Sequence, residues 1–140
     1  MKVLFVAGFG PIISDMQESA AFYRESLGLS FQEEYDGYLH TEELQGVKIF
    51  GLWPLSAAAQ SCFGVNEWPA DLPAPTSWLE FAVEDLAEAS RELKAKGYKL
   101  LIAVKKEPWG QTVTRLLSPE GILVGLTYTP LMRESEAESE

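Results

Sequence analysis

The sequence predicts an α+β fold of two βαβββ modules whose strands form a curved mixed sheet around a cleft. Three observations predict it. A strand-end and helix-start phrase recurs seventy positions later, each copy continues through a glycine stop into three strand-like runs, and the 140 residues are 46% apolar. A chain of that size buries roughly two-thirds of its unfolded surface and needs no disulfide or metal to fold. Residues 1–132 read as one domain, with module 1 over about 1–55, a connection at 56–76 and module 2 over about 77–130.

The repeat sets Ile13-Ser14-Asp15-Met16-Gln17-Glu18-Ser19 against Val83-Glu84-Asp85-Leu86-Ala87-Glu88-Ala89. Asp15 and Asp85 suit the helix N-cap, and Glu18 and Glu88 fall at the capping-box position. The first helix has the apolar stripe Met16, Ala20, Tyr23 and Leu27, and the second has Leu86, Ala89 and Leu93. Gly28 and Gly97 are placed to end them in left-handed caps. Strand-like runs follow at 29–34, 37–42 and 47–53 in the first module and at 98–104, 111–117 and 122–129 in the second. Ser118-Pro119-Glu120-Gly121 makes the last turn, and Gly46 to Phe50 aligns with Gly121 to Gly125 at an offset of 75. The proline-rich stretch 54–77 connects the modules and holds a short helix from Ser56, as its cap, to Gly64.

Composition narrows the function. Eleven Lys and Arg against 21 Asp and Glu give a formal charge of −10, which argues against phosphate-backbone binding and favours cationic ligands. Residues 133–140, with one Arg and four Glu, read as an acidic disordered tail. One Cys and one His cannot form a disulfide or a Cys-rich zinc site, and a reducing, cytoplasmic location is the simplest expectation. Residues 1–13 are apolar, yet Gly8, Gly10 and Pro11 interrupt them and no cleavage signal follows, so they read as a strand. No stretch approaches the about 18 apolar residues of a membrane span.

Period-two alternation assigns faces. Leu79, Phe81 and Val83 face the second helix, leaving Trp78 and Glu80 on the opposite, open face. Subtracting seventy puts Phe9 and Ile13 on the helix side and Gly8, Gly10 and Ile12 on the open side. Ile122, Val124 and Leu126 form a core row, so Leu123, Gly125 and Thr127 face away. The offset of 75 likewise gives Val47, Ile49 and Trp53 to the core and Lys48, Phe50 and Leu52 to the open face. Gly8, Phe50, Trp78 and Gly125 are thereby expected to converge where two uncovered faces meet.

The repeated unit, with Ala21-Phe22-Tyr23-Arg24-Glu25-Ser26-Leu27-Gly28-Leu29, Leu79 to Asp85, Glu107-Pro108-Trp109-Gly110-Gln111 and Ser118 to Gly121, resembles the glyoxalase, bleomycin-resistance and extradiol-dioxygenase superfamily over nearly the whole chain. Metal-dependent members carry His, Gln or Glu at the ends of the first and last strands of each module. The matching positions here are Gly8, Phe50, Trp78 and Gly125, none of which ligates a divalent ion through its side chain. The resemblance therefore implies a chain that has kept the fold without metal or other cofactor, nearest to the drug-sequestering resistance proteins. A homodimer is implied only by the family's habits.

Individual residues keep two readings each. Trp78 offers a stacking face beside Gly8 and Gly125, or plugs the space between modules. Glu80 neutralises a cationic ligand, or pairs with Lys48 or Arg115, pairing being favoured because unmatched buried charge is costly. Trp109 touches ligand at the cleft edge or covers a turn, and His40 is an acid or base or, more simply, a surface or dimer-contact residue. Cys62 reads as packed. The leading expectation is a metal-independent protein that sequesters an aromatic or cationic small molecule through Gly8, Phe50, Trp78, Glu80, Trp109 and Gly125, with no nucleic acid or membrane partner. The alternative is a lyase or isomerase of the same fold acting through Glu80 or His40.

Overall fold

A computed structural model describes residues 1–34 and 37–130. The tail expected at 133–140 lies outside them. The chain order is β1 (Val3–Ile13), α1 (Met16–Ala20) continued by a π turn (Ala21–Ser26), β2 (Gln32–Glu33), β3 (Leu39–Thr41), β4 (Phe50–Pro54), α2 (Leu55–Phe63), β5 (Ser77–Val83), α3 (Leu86–Ala95), β6 (Ile102–Lys106), β7 (Thr112–Leu117) and β8 (Leu123–Tyr128). The strands form one 8-stranded sheet in the order β2-β3-β4-β1-β5-β8-β7-β6. β1 and β5 meet antiparallel at its centre, and each pairs in parallel with the last strand of its own module. The chain is thus the α+β pair of βαβββ units that the repeat predicts.

Both helix starts form as their sequences dictate, with Asp15 Oδ1 accepting from the Glu18 amide at 3.1 Å and Asp85 Oδ1 from the Glu88 amide at 3.0 Å. α3 closes in a Schellman motif, in which the Tyr98 amide reaches the Leu93 carbonyl and the Gly97 amide that of Lys94. Tyr98 is spent on that cap, so the strand expected at 98–104 begins only at Ile102. In the first module the helix holds one residue more before its glycine, and the π turn absorbs it, with the Leu29 amide reaching back to Tyr23. The extra residue rotates the last turn. Leu27, expected in the buried stripe, is 55% exposed. α2 starts at Leu55 after Pro54 and no side chain caps it, which corrects the assignment of Ser56 as its cap.

Three apolar clusters hold the sheet. Ile13, Leu39, Phe50 and Leu52 pack with Met16, Ala20 and Tyr23 beneath the first helix. Val83, Leu86, Ala89 and Leu126 pack with Phe81 and Leu93 beneath α3. Ile12, Trp53, Trp78 and Leu123 pack with Ala58 and Cys62 of α2 on the opposite face. The alternation in β1, β5 and β8 runs as expected, but β4 is reversed. Phe9 pairs with Phe50 and Ile12 with Trp53, whereas Trp78 pairs with Leu123 and Glu80 with Gly125. The last strands are therefore related by an offset of 74, under which Leu52 matches Leu126 and Ile49 matches Leu123. A one-residue slip flips every side chain, so Phe50 and Leu52 lie on the helix side and Ile49 and Trp53 on the open side.

Gly10 lies on the open face of β1, where an added Cβ would overlap the Gly51 carbonyl, while Gly28 has φ +78 and nothing within 4 Å. Gly28→Ala is expected to cost about 1–2 kcal/mol from left-handed strain alone, and Gly10→Ala distinctly more, because a strand must shift. Urea unfolding midpoints of the two variants check the order.

Candidate functional site

The open face curls around a cleft of about 620 Å³ whose lining includes Gly8, Tyr38, His40, Trp53, Trp78, Glu80, Trp109, Gln111 and Arg115. Its back wall is aromatic. Trp78 is 4% exposed, donates its indole N–H to the Gly51 carbonyl at 3.0 Å, and meets Trp53 edge-on. A Cβ on Gly8 would stand 2.9 Å from Trp78 Cη2, so the indole itself fills the space that the glycine leaves. Trp78 accordingly plugs the gap between the modules and shows the cleft only its edge.

The floor is a polar lattice. Arg115, 1% exposed, donates from Nη1 to Glu80 Oε2 at 2.9 Å and from Nε to Ser61 Oγ at 3.0 Å, and its guanidinium lies over the Trp53 ring. Gln111 donates from Nε2 to Glu80 Oε1 at 2.7 Å and to Thr127 Oγ1 at 2.9 Å. Ser61 donates to Glu107 Oε1 at 2.7 Å, and Lys105 Nζ reaches the Ser61 carbonyl at 2.7 Å. Charges this deep persist only when matched and hydrogen-bonded, as these are. Of the two partners weighed for Glu80, the structure supplies Arg115. Lys48 instead sits over the Phe5 ring. A Cβ on Gly125 would meet Glu80 Cγ at 2.9 Å, so that glycine makes room for the ion pair and not for a ligand.

The structure brings Gly8, Trp78, Glu80, Trp109 and His40 to the cleft. Phe50 is absent from it, packed against Tyr23 and Phe9 under the helix because of the β4 slip. Trp109 stands at the mouth, 44% exposed, with its indole N–H on Gln111 Oε1. His40 is 7% exposed and stacks on Tyr38 with centroids 5.0 Å apart, so the surface or dimer-contact reading of it is corrected. Its Nε2 lies 3.1 Å from Glu34 Oε1, yet among the described residues neither ring nitrogen makes a hydrogen bond. Burial, then the Glu80 and Glu34 carboxylates, push the Tyr38 phenol well above the ordinary range and keep it neutral. Sequence reasoning missed Tyr38, Ser61 and Gln111 as parts of the site. Gln111 closes the Glu107-Pro108-Trp109-Gly110-Gln111 phrase and was within reach, whereas Ser61 meets Arg115 across 54 residues with no local signal.

Under the offset of 74 the β4 residue that matches Gly125 is Gly51, so the four equivalent open-face positions are Gly8, Gly51, Trp78 and Gly125. None presents a lone pair for a divalent ion, and Glu80 is engaged by Arg115 and Gln111. Among the described residues no three His, Cys, Asp or Glu side chains gather as a metal site. The residues do not fit the metal that other branches of this fold use.

A family model, Glyoxalase/Bleomycin resistance protein/Dioxygenase superfamily, matches residues 9–126, and the chain belongs to that superfamily. Among solved structures it is similar to a superfamily member from Vibrio splendidus 12B01, at TM-score 0.58 and 17% identity over 91% of this chain and 100% of that one. It is also similar to Streptomyces coelicolor methylmalonyl-CoA epimerase in complex with 2-nitronate-propionyl-CoA, at TM-score 0.57 and 15% identity over 91% and 99%. A hypothetical protein from Bacillus halodurans C-125 matches at TM-score 0.58 and 18% identity over 89% and 93%. At these identities the likeness establishes the fold. No curated protein matches the sequence. No described helix is long and apolar enough to cross a membrane.

Removing Arg115 strands a buried carboxylate, so Arg115→Ala is expected to destabilise the protein by about 3–5 kcal/mol in urea unfolding. The thiol of Cys62, packed under α2, is pushed by burial from 9.0 up to about 11. The folded state therefore holds it protonated at pH 8. Its contribution to stability is complete below pH 9 and lost as the pH rises towards 11. Thiol reagents at pH 8 are expected to label it only after unfolding.

Proposed function

We propose that the protein is a metal-independent binding protein that encloses a flat aromatic small molecule, preferably a cationic one. One observation carries this reading. Glu80, Arg115, Gln111 and Ser61 of the cleft floor are engaged with one another and with Thr127 behind them, while Tyr38, Trp53, Trp78 and Trp109 supply the walls. Such a site holds an apolar ring by burial and leaves Glu80 no freedom to act as a base. Trp109 is the aromatic face best placed to lie on a ligand, because it lines the cleft and remains 44% exposed. Both modules lie on one chain, so the cleft needs no second copy to be complete.

His40 supports a second reading. An imidazole lining the cleft with a carboxylate 3.1 Å from its Nε2 suits proton transfer without metal, as in an isomerase or lyase. The two readings part in heavy water. A sequestering protein returns its co-purified ligand, identified by native mass spectrometry, without carbon-bound deuterium, whereas a proton-transfer enzyme exchanges it and loses exchange in His40→Gln.

For the binding reading, ligand addition is expected to change tryptophan emission, and Trp109→Ala is expected to weaken affinity about twofold to thirtyfold, the range of a lost cation–π face. An unchanged dissociation constant in that variant would remove Trp109 from the site.

A further inference from the structure

Resting on the binding reading above, we propose that the corner formed by His40, Glu34 and Glu42 is a receptor for a protonated nitrogen, so that the preferred ligand is an aromatic amine, amidine or guanidine inserted cation first. Tyr38, His40 and Glu42 alternate along one strand face and its continuation, and Glu34 joins them from the residue just after β2, where its amide bonds the Tyr38 carbonyl. All four line the cleft.

Two facts separate this corner from an ordinary acidic rim. His40 is more than nine-tenths buried, yet among the described residues both ring nitrogens lack a hydrogen-bond partner. A buried polar group left unpaired is costly, a cost that a ligand N–H directed at the free lone pair removes. The field around it also has one sign. Among the described lining residues, every Lys and Arg comes from β6 or β7 in the second module, and Arg115 is already committed to Glu80. The first-module wall contributes carboxylates only, and Glu34 and Glu42 stand exposed at its edge. An anion entering there meets repulsion, a neutral ring gains only burial, and an ammonium gains both the imidazole acceptor and the carboxylates. The Tyr38 ring stacked on His40 fixes the imidazole plane, so the acceptor is held ready before the ligand arrives.

Three probes sharing one ring system test this: 1-naphthylmethylamine, 1-naphthylmethanol and 1-naphthylacetate, titrated calorimetrically at pH 8 and low salt. The ammonium is expected to bind at least about tenfold more tightly than the alcohol, and the acetate most weakly. Glu34→Gln and His40→Ala should each reduce the ammonium-to-alcohol ratio towards one, and Glu34→Gln, at an exposed rim carboxylate, should change affinity for the alcohol less than twofold. Trp109→Ala should weaken all three together. Equal binding of the three probes, preference for the acetate, or a ratio unmoved by Glu34→Gln and His40→Ala overturns the cation corner and leaves the aromatic cleft standing. Failure of all three to bind overturns the cleft reading and the corner with it. Circular dichroism of each variant separates loss of recognition from loss of fold.

Discussion

The Glu80–Arg115 ion pair is the constraint around which the interior is arranged. It runs from β5 to β7 across β8, passing over Gly125, and ties in α2 through Ser61. A carboxylate and a guanidinium at this depth would each be costly alone. Gln111 takes the second carboxylate oxygen, Ser61 takes the guanidinium Nε, and Trp53 covers the cation's face. The absent side chain at residue 125 is thus part of the electrostatics, because any Cβ there would press the two charges apart.

This arrangement also explains why the cleft differs chemically from those of metal-using members of its superfamily. The same strand positions that carry ligands in such proteins hold tryptophan and glycine here, and the one carboxylate among the neighbouring open-face positions is turned to Arg115. What the cleft retains is shape, aromatic walls and an imidazole whose ring nitrogens make no hydrogen bond among the described residues. Recognition therefore falls to ring faces and to the rim charges of the first module, not to a reactive centre in the floor.

Much of this was legible in the sequence because it is local. The two aspartate caps, the Ser118 to Gly121 turn and the alternation in β1, β5 and β8 are set by residues within a few positions of one another. The pairing of Glu80 with Arg115 was accessible through the cost of unmatched charge. Two features escaped because they depend on counting across irregular segments. The turn before β4 is one residue out of step with its counterpart before β8, which sends Phe50 to the helix side, and the first helix takes one additional residue into a π turn, which releases Leu27. His40 escaped for another reason. A lone histidine in a short strand has no pattern of its own, and only the stacking with Tyr38 and the curl of the sheet decide that it turns inward.

The lock between Trp78 and Gly8 has a further meaning for how such a molecule can be divided. The halves keep a common plan, yet one carries a bulky knob where the other carries the notch that receives it. Two copies of the second half would bring tryptophan against tryptophan at the seam, and two copies of the first would leave a hollow there. Neither half can pair with itself as it now pairs with its sister, so the duplication has become a committed partnership of unlike pieces.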